Sequence, residues 1–247
     1  MIPKTKIFLK ADSSSDLAYI ASLKNAPNYS SFLVYEQTKG RGSRGKSWLS
    51  PKGNLYFSVL LYPNKRQSSW SQLSIVSCLA LKAATLRIFK KSNLDFKFKW
   101  PNDLMLNEKK VGGVLIETIP DNNSVIIGFG LNLISNPKIY ETNWPSTNIS
   151  CSSIENYKPI LIAKSILLEL KFFINKWENF NFKIILNEWK KNLMFLGKEI
   201  HSIDLNKKLS GIFQDVGLHG QMYLKQSNNE IIEIMAGTFI LSEKKCF

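Results

Sequence analysis

The sequence predicts a mixed α/β chain of two unequal parts, a larger region over residues 1–195 and a small all-β barrel over 196–247. Three patterns carry that expectation. Apolar runs of strand length crowd between residues 96 and 133, and apolar residues recur at helical spacing in two long stretches. Beyond Gly197 both give way to short strand-like pieces divided by turns.

Taken in order, Lys6 to Leu9 reads as a strand, and the hydroxyls of Ser13, Ser14 and Ser15 with Asp16 cap a helix running to about Leu23. Ser31 to Glu36 is a β-type run ending at Gln37, followed by a loop from Thr38 to Pro51 with glycines at 40, 42 and 45. Leu55 to Leu61 is the next strand. Ser69 with Gln72 forms a capping-box pattern ahead of Leu73, Val76, Leu79, Ala83 and Leu86, which sets a helix reaching Lys90. Four strands follow at 96–100, 103–106, 111–119 and 125–133, then a loop rich in Asn, Ser and Pro over 135–157. Helical spacing returns through Leu161, Ile166, Leu170, Phe173 and Trp177, with a second helical stretch to about Leu193. Strand pieces at 198–203, 208–213, 220–226, 230–235 and 238–241 complete the barrel.

Composition excludes several classes. A chain of 247 residues with 44% hydrophobic and 21% charged residues fills a core and is not disordered. No run approaches the roughly 18 apolar residues a membrane span needs, and the first ten residues lack a secretion signal, so a cytoplasmic location with no membrane partner is expected. Cys78, Cys151 and Cys246 lie far apart, and only His201 and His219 could join them, so neither a disulfide framework nor a zinc site is expected. The net charge of +14 invites a polyanion, but 29 of the 33 basic residues are lysine and only four are arginine, a compositional skew rather than a nucleic-acid signature. It makes Arg41 and Arg44, three residues apart, informative.

Three turn segments carry the chemistry. In Gly40-Arg41-Gly42-Ser43-Arg44-Gly45-Lys46, alternate glycines let the backbone bend while three cations make an anion receptor, suited to a phosphate or a carboxylate becoming an acyl phosphate. A flexible basic surface loop is the plain alternative. Trp48 either stacks on a purine or sits in the core. The loop has neither the ending of a P-loop nor the spacing of a dinucleotide fingerprint. In Lys99-Trp100-Pro101-Asn102-Asp103, proline ends the strand and presents Asn102 and Asp103 with the tryptophan ring beside them. Lys110 then precedes Gly112 and Gly113, so its ammonium can reach a carboxylate over bare backbone, unless it is an ordinary hairpin lysine. Gly128 and Gly130, on one face of a β run ahead of Asn132, mark a bulge or the close approach of a ligand.

Together and in this order, these segments resemble the biotin–protein ligase family. The pattern G-R-G-R-x-G-R/K-x-W matches Gly40 to Trp48 except at Ser43, and S-P-x-G-N-L-Y-F/L-S is Ser50 to Ser58. K-W-P-N-D is Lys99 to Asp103, K-L/V-A/G-G-I/V-L-I/V-E is Lys110 to Glu117, and Gly128, Gly130 and Asn132 match as well. The resemblance spans about residues 8 to 241 and implies a catalytic domain like the class II aminoacyl-tRNA synthetase core followed by an SH3-like barrel. It implies an enzyme that joins biotin to ATP, with Mg2+ attending, and passes the biotinyl group from biotinyl-5'-AMP to one lysine of a biotin carboxyl carrier domain. The catalytic pattern begins within the first ten residues, so the monofunctional type without an N-terminal DNA-binding domain is expected, as a monomer or homodimer.

By the same resemblance, Arg41, Lys110 and Asp103 are the catalytic residues, the first two screening two anions that must react. Ser13, Ser14, Gln37, Gly40, Arg41, Lys110 and Gly113 are expected at biotin, and Arg41, Gly42, Arg44, Trp48, Asn102 and Asn132 at the nucleotide. No residue is assigned to the metal. Asp103 either orients or deprotonates the incoming lysine, or is a structural turn carboxylate. Two positions depart from the pattern: Ser15 replaces the asparagine of S-T-N, and Ser43 replaces the second loop arginine. One cation less should hold the reactive adenylate less firmly unless Arg44 or Lys46 compensates, so Ser43→Arg should lower self-biotinylation measured without acceptor. The rivals are a lipoate/octanoate–protein ligase of the same fold, which lacks K-W-P-N-D, and a basic nucleic-acid-binding protein, which rests on charge alone.

Overall fold

The computed structural model describes residues 3–89, 94–136, 145–149, 158–203 and 209–242. Lys90, most of the 135–157 loop, Cys151, Cys246 and residue 208 lie outside the described residues. A mixed seven-stranded sheet dominates, formed by β1 (Lys6–Phe8), β2 (Ser31–Val34), β3 (Leu55–Leu61), β4 (Phe96–Lys99), β5 (Asp103–Leu106), β6 (Lys109–Ile119) and β7 (Ser124–Leu131). Its strand order is β1-β2-β3-β7-β6-β5-β4, with only β1–β2 parallel.

Helix α1 (Ser14–Leu23) covers one face of this sheet, and α2 (Leu73–Ile88), α3 (Pro159–Asn179) and α4 (Phe182–Lys190) belong to the core on the other. The large core joins alternate strand residues to Val76, Leu79 and Ala80 of α2 and Ile166, Leu170, Phe173 and Trp177 of α3. The smaller one holds Ala18, Ala21, Phe32, Leu60 and Ile126. Strand β3, apolar except at Ser58, is packed on both faces and buried throughout.

The capping box expected at Ser69 and Gln72 is not formed. Gln67–Gln72 is a 3-10 turn, α2 starts at Leu73, and Gln72 makes no side-chain cap. Its amide is drawn to distant partners instead, accepting from the Trp177 indole at 2.6 Å and donating to the Leu218 carbonyl at 2.9 Å. A buried indole N–H that must be satisfied outweighs a local cap.

The C-terminal strands β8 (Glu199–Ser202), β9 (Ser210–Val216), β10 (Met222–Lys225), β11 (Ile231–Ile234) and β12 (Phe239–Leu241) make a separate antiparallel sheet of order β11-β10-β9-β8-β12, consistent with a small barrel. It docks against the larger region through Trp100, whose indole N–H donates to the Gly220 carbonyl at 2.8 Å and whose ring meets Phe239 edge-on. The Lys190–Asp215 ion pair at 2.6 Å adds to this seam. Trp100 therefore does not stand beside Asn102 and Asp103 as expected. Only 5% exposed, it anchors the second sheet.

Candidate active site

Period-two alternation along two paired strands lays out the site. Leu55, Phe57, Val59 and Leu61 of β3 and Val125, Ile127, Phe129 and Leu131 of β7 enter the large core. Tyr56, Ser58, Gly128 and Gly130 therefore face the α1 side. Register sets Tyr56 opposite Gly130 and Ser58 opposite Gly128, so two glycines clear a hollow beside two polar side chains. A pocket of about 490 Å³, open to solvent, lies here.

The N-terminus of α1 forms one wall. Ser13, Ser14 and Ser15 all line the pocket. Ser13 caps the helix, its hydroxyl accepting from the Ser15 amide at 3.2 Å. The Ser14 amide donates to Oε1 of Gln37 at 2.7 Å, and the Ser14 and Ser58 hydroxyls lie 2.7 Å apart. Hydroxyls, an amide side chain and the positive end of a helix make a polar wall able to pair with a neutral ureido-like group or an anion.

Opposite this wall, Arg41, Gly42, Ser43 and Trp48 line the pocket together with Asn102, Asp103, Lys110 and Gly113. Trp48 lies flat against Gly130, where a Cβ would come within 2.8 Å of the indole. Lys110 Nζ sits 5.3 Å from the centre of that ring and 2.5 Å from Asp103 Oδ1. Gly113, paired with Asp103 in the β5–β6 ladder, leaves this contact uncovered. Gly112 is fixed by packing, since a Cβ there would meet the Gly130 carbonyl at 2.8 Å. Arg41 is bound by Asp16 at 2.6 Å and Glu117 at 3.1 Å. Partial burial pulls its pKa down, but the hydrogen bonds and charges of Asp16 and Glu117 outweigh it, and the net shift is upward.

Arg41 and Lys110 thus line one pocket, together with Ser13, Ser14, Gln37, Gly42, Trp48, Asn102, Asp103 and Gly113. Gly40, Arg44 and Asn132 do not line it. Gly40 is required by the loop itself, because a Cβ would fall 2.3 Å from the Trp48 carbonyl. Arg44, at φ 59°, donates to the hydroxyl of Thr238, just ahead of β12 in the C-terminal region. Asn132 is buried and donates to the Thr147 carbonyl at 3.0 Å, pinning 145–149 beside Lys110. Loop amides expected to face an anion are partly used within the loop, Gly42 N–H to the Lys46 carbonyl and Trp48 N–H to the Gly40 carbonyl. Sequence reasoning placed Asp16 only at the helix cap and Tyr56, Ser58 and Glu117 only within motifs, and put none of the four at the site. Strand alternation marks Tyr56 and Ser58, whereas nothing local marks the acids as partners of Arg41.

Residues 12–132 match the model of the biotin/lipoate A/B protein ligase family, a span that contains every pocket residue. The chain belongs to that family. It is 28% identical over 220 residues, 85% of this chain and 91% of the other, to the biotin–[acetyl-CoA-carboxylase] ligase of Paracoccus denitrificans. To the bifunctional ligase/repressor BirA of Escherichia coli it is 26% identical over 77% of this chain and 60% of that one. The structure of the biotin protein ligase from Aquifex aeolicus in complex with biotin and ATP superposes with a TM-score of 0.81, at 26% identity over 98% of this chain and all of that one.

Proposed function

We propose that the protein is a biotin–protein ligase that activates biotin as biotinyl-5'-AMP and transfers it to a lysine of a biotin carboxyl carrier protein in the cytoplasm. The convergence of Arg41 and Lys110 on one pocket beside the capped end of α1 carries this reading, together with the family membership.

In the first step a biotin carboxylate oxygen attacks the α-phosphorus of ATP, and the bond to the bridging oxygen of pyrophosphate breaks. Two anions must approach, so the barrier is electrostatic, and Arg41 and Lys110 supply the screening charge. Ser13, Ser14 and Gln37 hold the ureido ring, Gly113 leaves room for the carboxylate, and Trp48 over Gly130 offers the adenine a flat face. Asn102, whose side chain donates to the Val114 carbonyl at 2.6 Å, holds the turn that presents Asp103. In the second step the acceptor amine attacks the biotinyl carbonyl and AMP leaves. The proton lost by the incoming ammonium passes to Asp103, which among the described residues is the only carboxylate lining the pocket. Among the described residues no group of three His, Cys, Asp or Glu could hold a metal; magnesium would come with the triphosphate as its counter-ion.

The C-terminal sheet, joined through Trp100 and Arg44, supports a domain division near residue 195 and a barrel that braces the glycine loop. We assign the +14 charge to encounter with an acidic carrier domain rather than to DNA; salt-sensitive binding to random duplex DNA would contradict that. A biotin-dependent ATP–pyrophosphate exchange assay tests the whole reading. Exchange with biotin supports it, and exchange with octanoate or lipoate in its place overturns it.

A further inference from the structure

Neither cation of the pocket is free: Asp103 neutralises Lys110, and Asp16 with Glu117 neutralises Arg41. The two neutralising sets differ. Asp103 lines the pocket, so Lys110 stays inside it when paired. Asp16, in the first turn of α1, and Glu117, on β6, do not line it, so Arg41 is bound at its border. Glu117 Oε1 takes the guanidinium Nε, while its Oε2 is buried without a hydrogen-bond partner. An Arg41 that turned to a ligand would leave this carboxylate with neither oxygen paired, a cost that the ligand's own contacts with the guanidinium must offset.

We infer that Asp16 and Glu117 are positioning residues for the ligation reaction, forming an internal counter-ion for Arg41 that an anionic ligand must displace. The inference rests on Arg41 acting on the ligand's anionic groups. The guanidinium keeps its planar donors and exchanges carboxylate oxygens for phosphate oxygens, with no bond made or broken. The acids offset part of the binding energy of a single anion, so the pocket favours a ligand that carries several charges, and it lies near electrostatic neutrality between turnovers. Both carboxylates are partly exposed, at 41% for Asp16 and 30% for Glu117, which makes each pair individually weak and exchange easy.

The test measures adenylation by ATP–pyrophosphate exchange in Asp16→Asn, Glu117→Gln, the double variant and Arg41→Ala, with ligand-free melting recorded for each. The expected result is a fall in the KM for ATP of about two- to fivefold in each acid variant and more in the double, with kcat equal or lower. A merely structural role for the acids would raise KM or lower the melting temperature and could not tighten binding. If Arg41→Ala raises the KM while the acid variants leave it unchanged or raise it, this inference fails and the reading of Arg41 stands. If Arg41→Ala leaves the KM for both ATP and biotin unchanged, the reading of Arg41 fails and takes the inference with it.

Discussion

The two faces of the seven-stranded sheet are built from the same strands and do opposite things. Toward α2 and α3, Phe57 and Phe129 stack at 6.2 Å within a continuous apolar core. Toward α1, one residue further along, the same strands carry Tyr56, Ser58, Gly128 and Gly130 and leave a hollow. Strand periodicity lets one segment serve stability and chemistry at once, because neighbouring side chains never share a face. Stability is thus concentrated on one face, and the other holds buried polar and charged groups at a cost.

Substitutions that treat the faces differently sharpen this contrast. The largest effect is expected from Phe57→Ala, which opens a cavity in the dense face and costs about 3–5 kcal/mol of unfolding free energy by denaturant titration, while exchange activity per folded molecule is retained. Lys110→Ala on the hollow face should leave the fold intact by circular dichroism and lower adenylation by about 10²–10³-fold.

Lys99 tests the cost of charge on the hollow face. It pairs with Asp103 in the β4–β5 ladder and is 5% exposed; burial pushes its pKa down to about 8, against the raising charge of Asp103 and with help from Lys110, Arg44 and Lys46. Below about pH 8 both folded and unfolded chains hold the proton and the full penalty is present. Between there and the ordinary value of 10.5 the folded chain has already released it, so stability rises with pH. Lys99→Met should flatten that rise and stabilise the protein at neutral pH by at most about 3 kcal/mol, measured as melting against pH. Gly130→Ala is the smallest change. Its methyl would displace the Trp48 indole from its 2.8 Å approach, and the KM for ATP should rise by about tenfold.

The fold was largely legible because its signals are local: a strand-length run for β3 that is apolar but for Ser58, helical spacing for α2 and α3, and a serine cluster at the start of α1. The site was legible where glycine, proline or a cation stood out in a turn. Three readings went elsewhere for a shared reason. Gln72 is taken by Trp177 and Leu218, Trp100 by Gly220, and Asn132 by Thr147, and in each case a buried donor or acceptor is satisfied from a separate element.

By itself, the sequence determined which residues alternate, where the chain turns, and that cations gather near positions 41 and 110. Only the tertiary structure decided what those cations face. Arg41 and Glu117 are 76 residues apart in sequence and 3.1 Å apart in space. No local pattern encodes such a pair, because it exists only once β6 and the glycine loop are brought together by the sheet and the packing of α1.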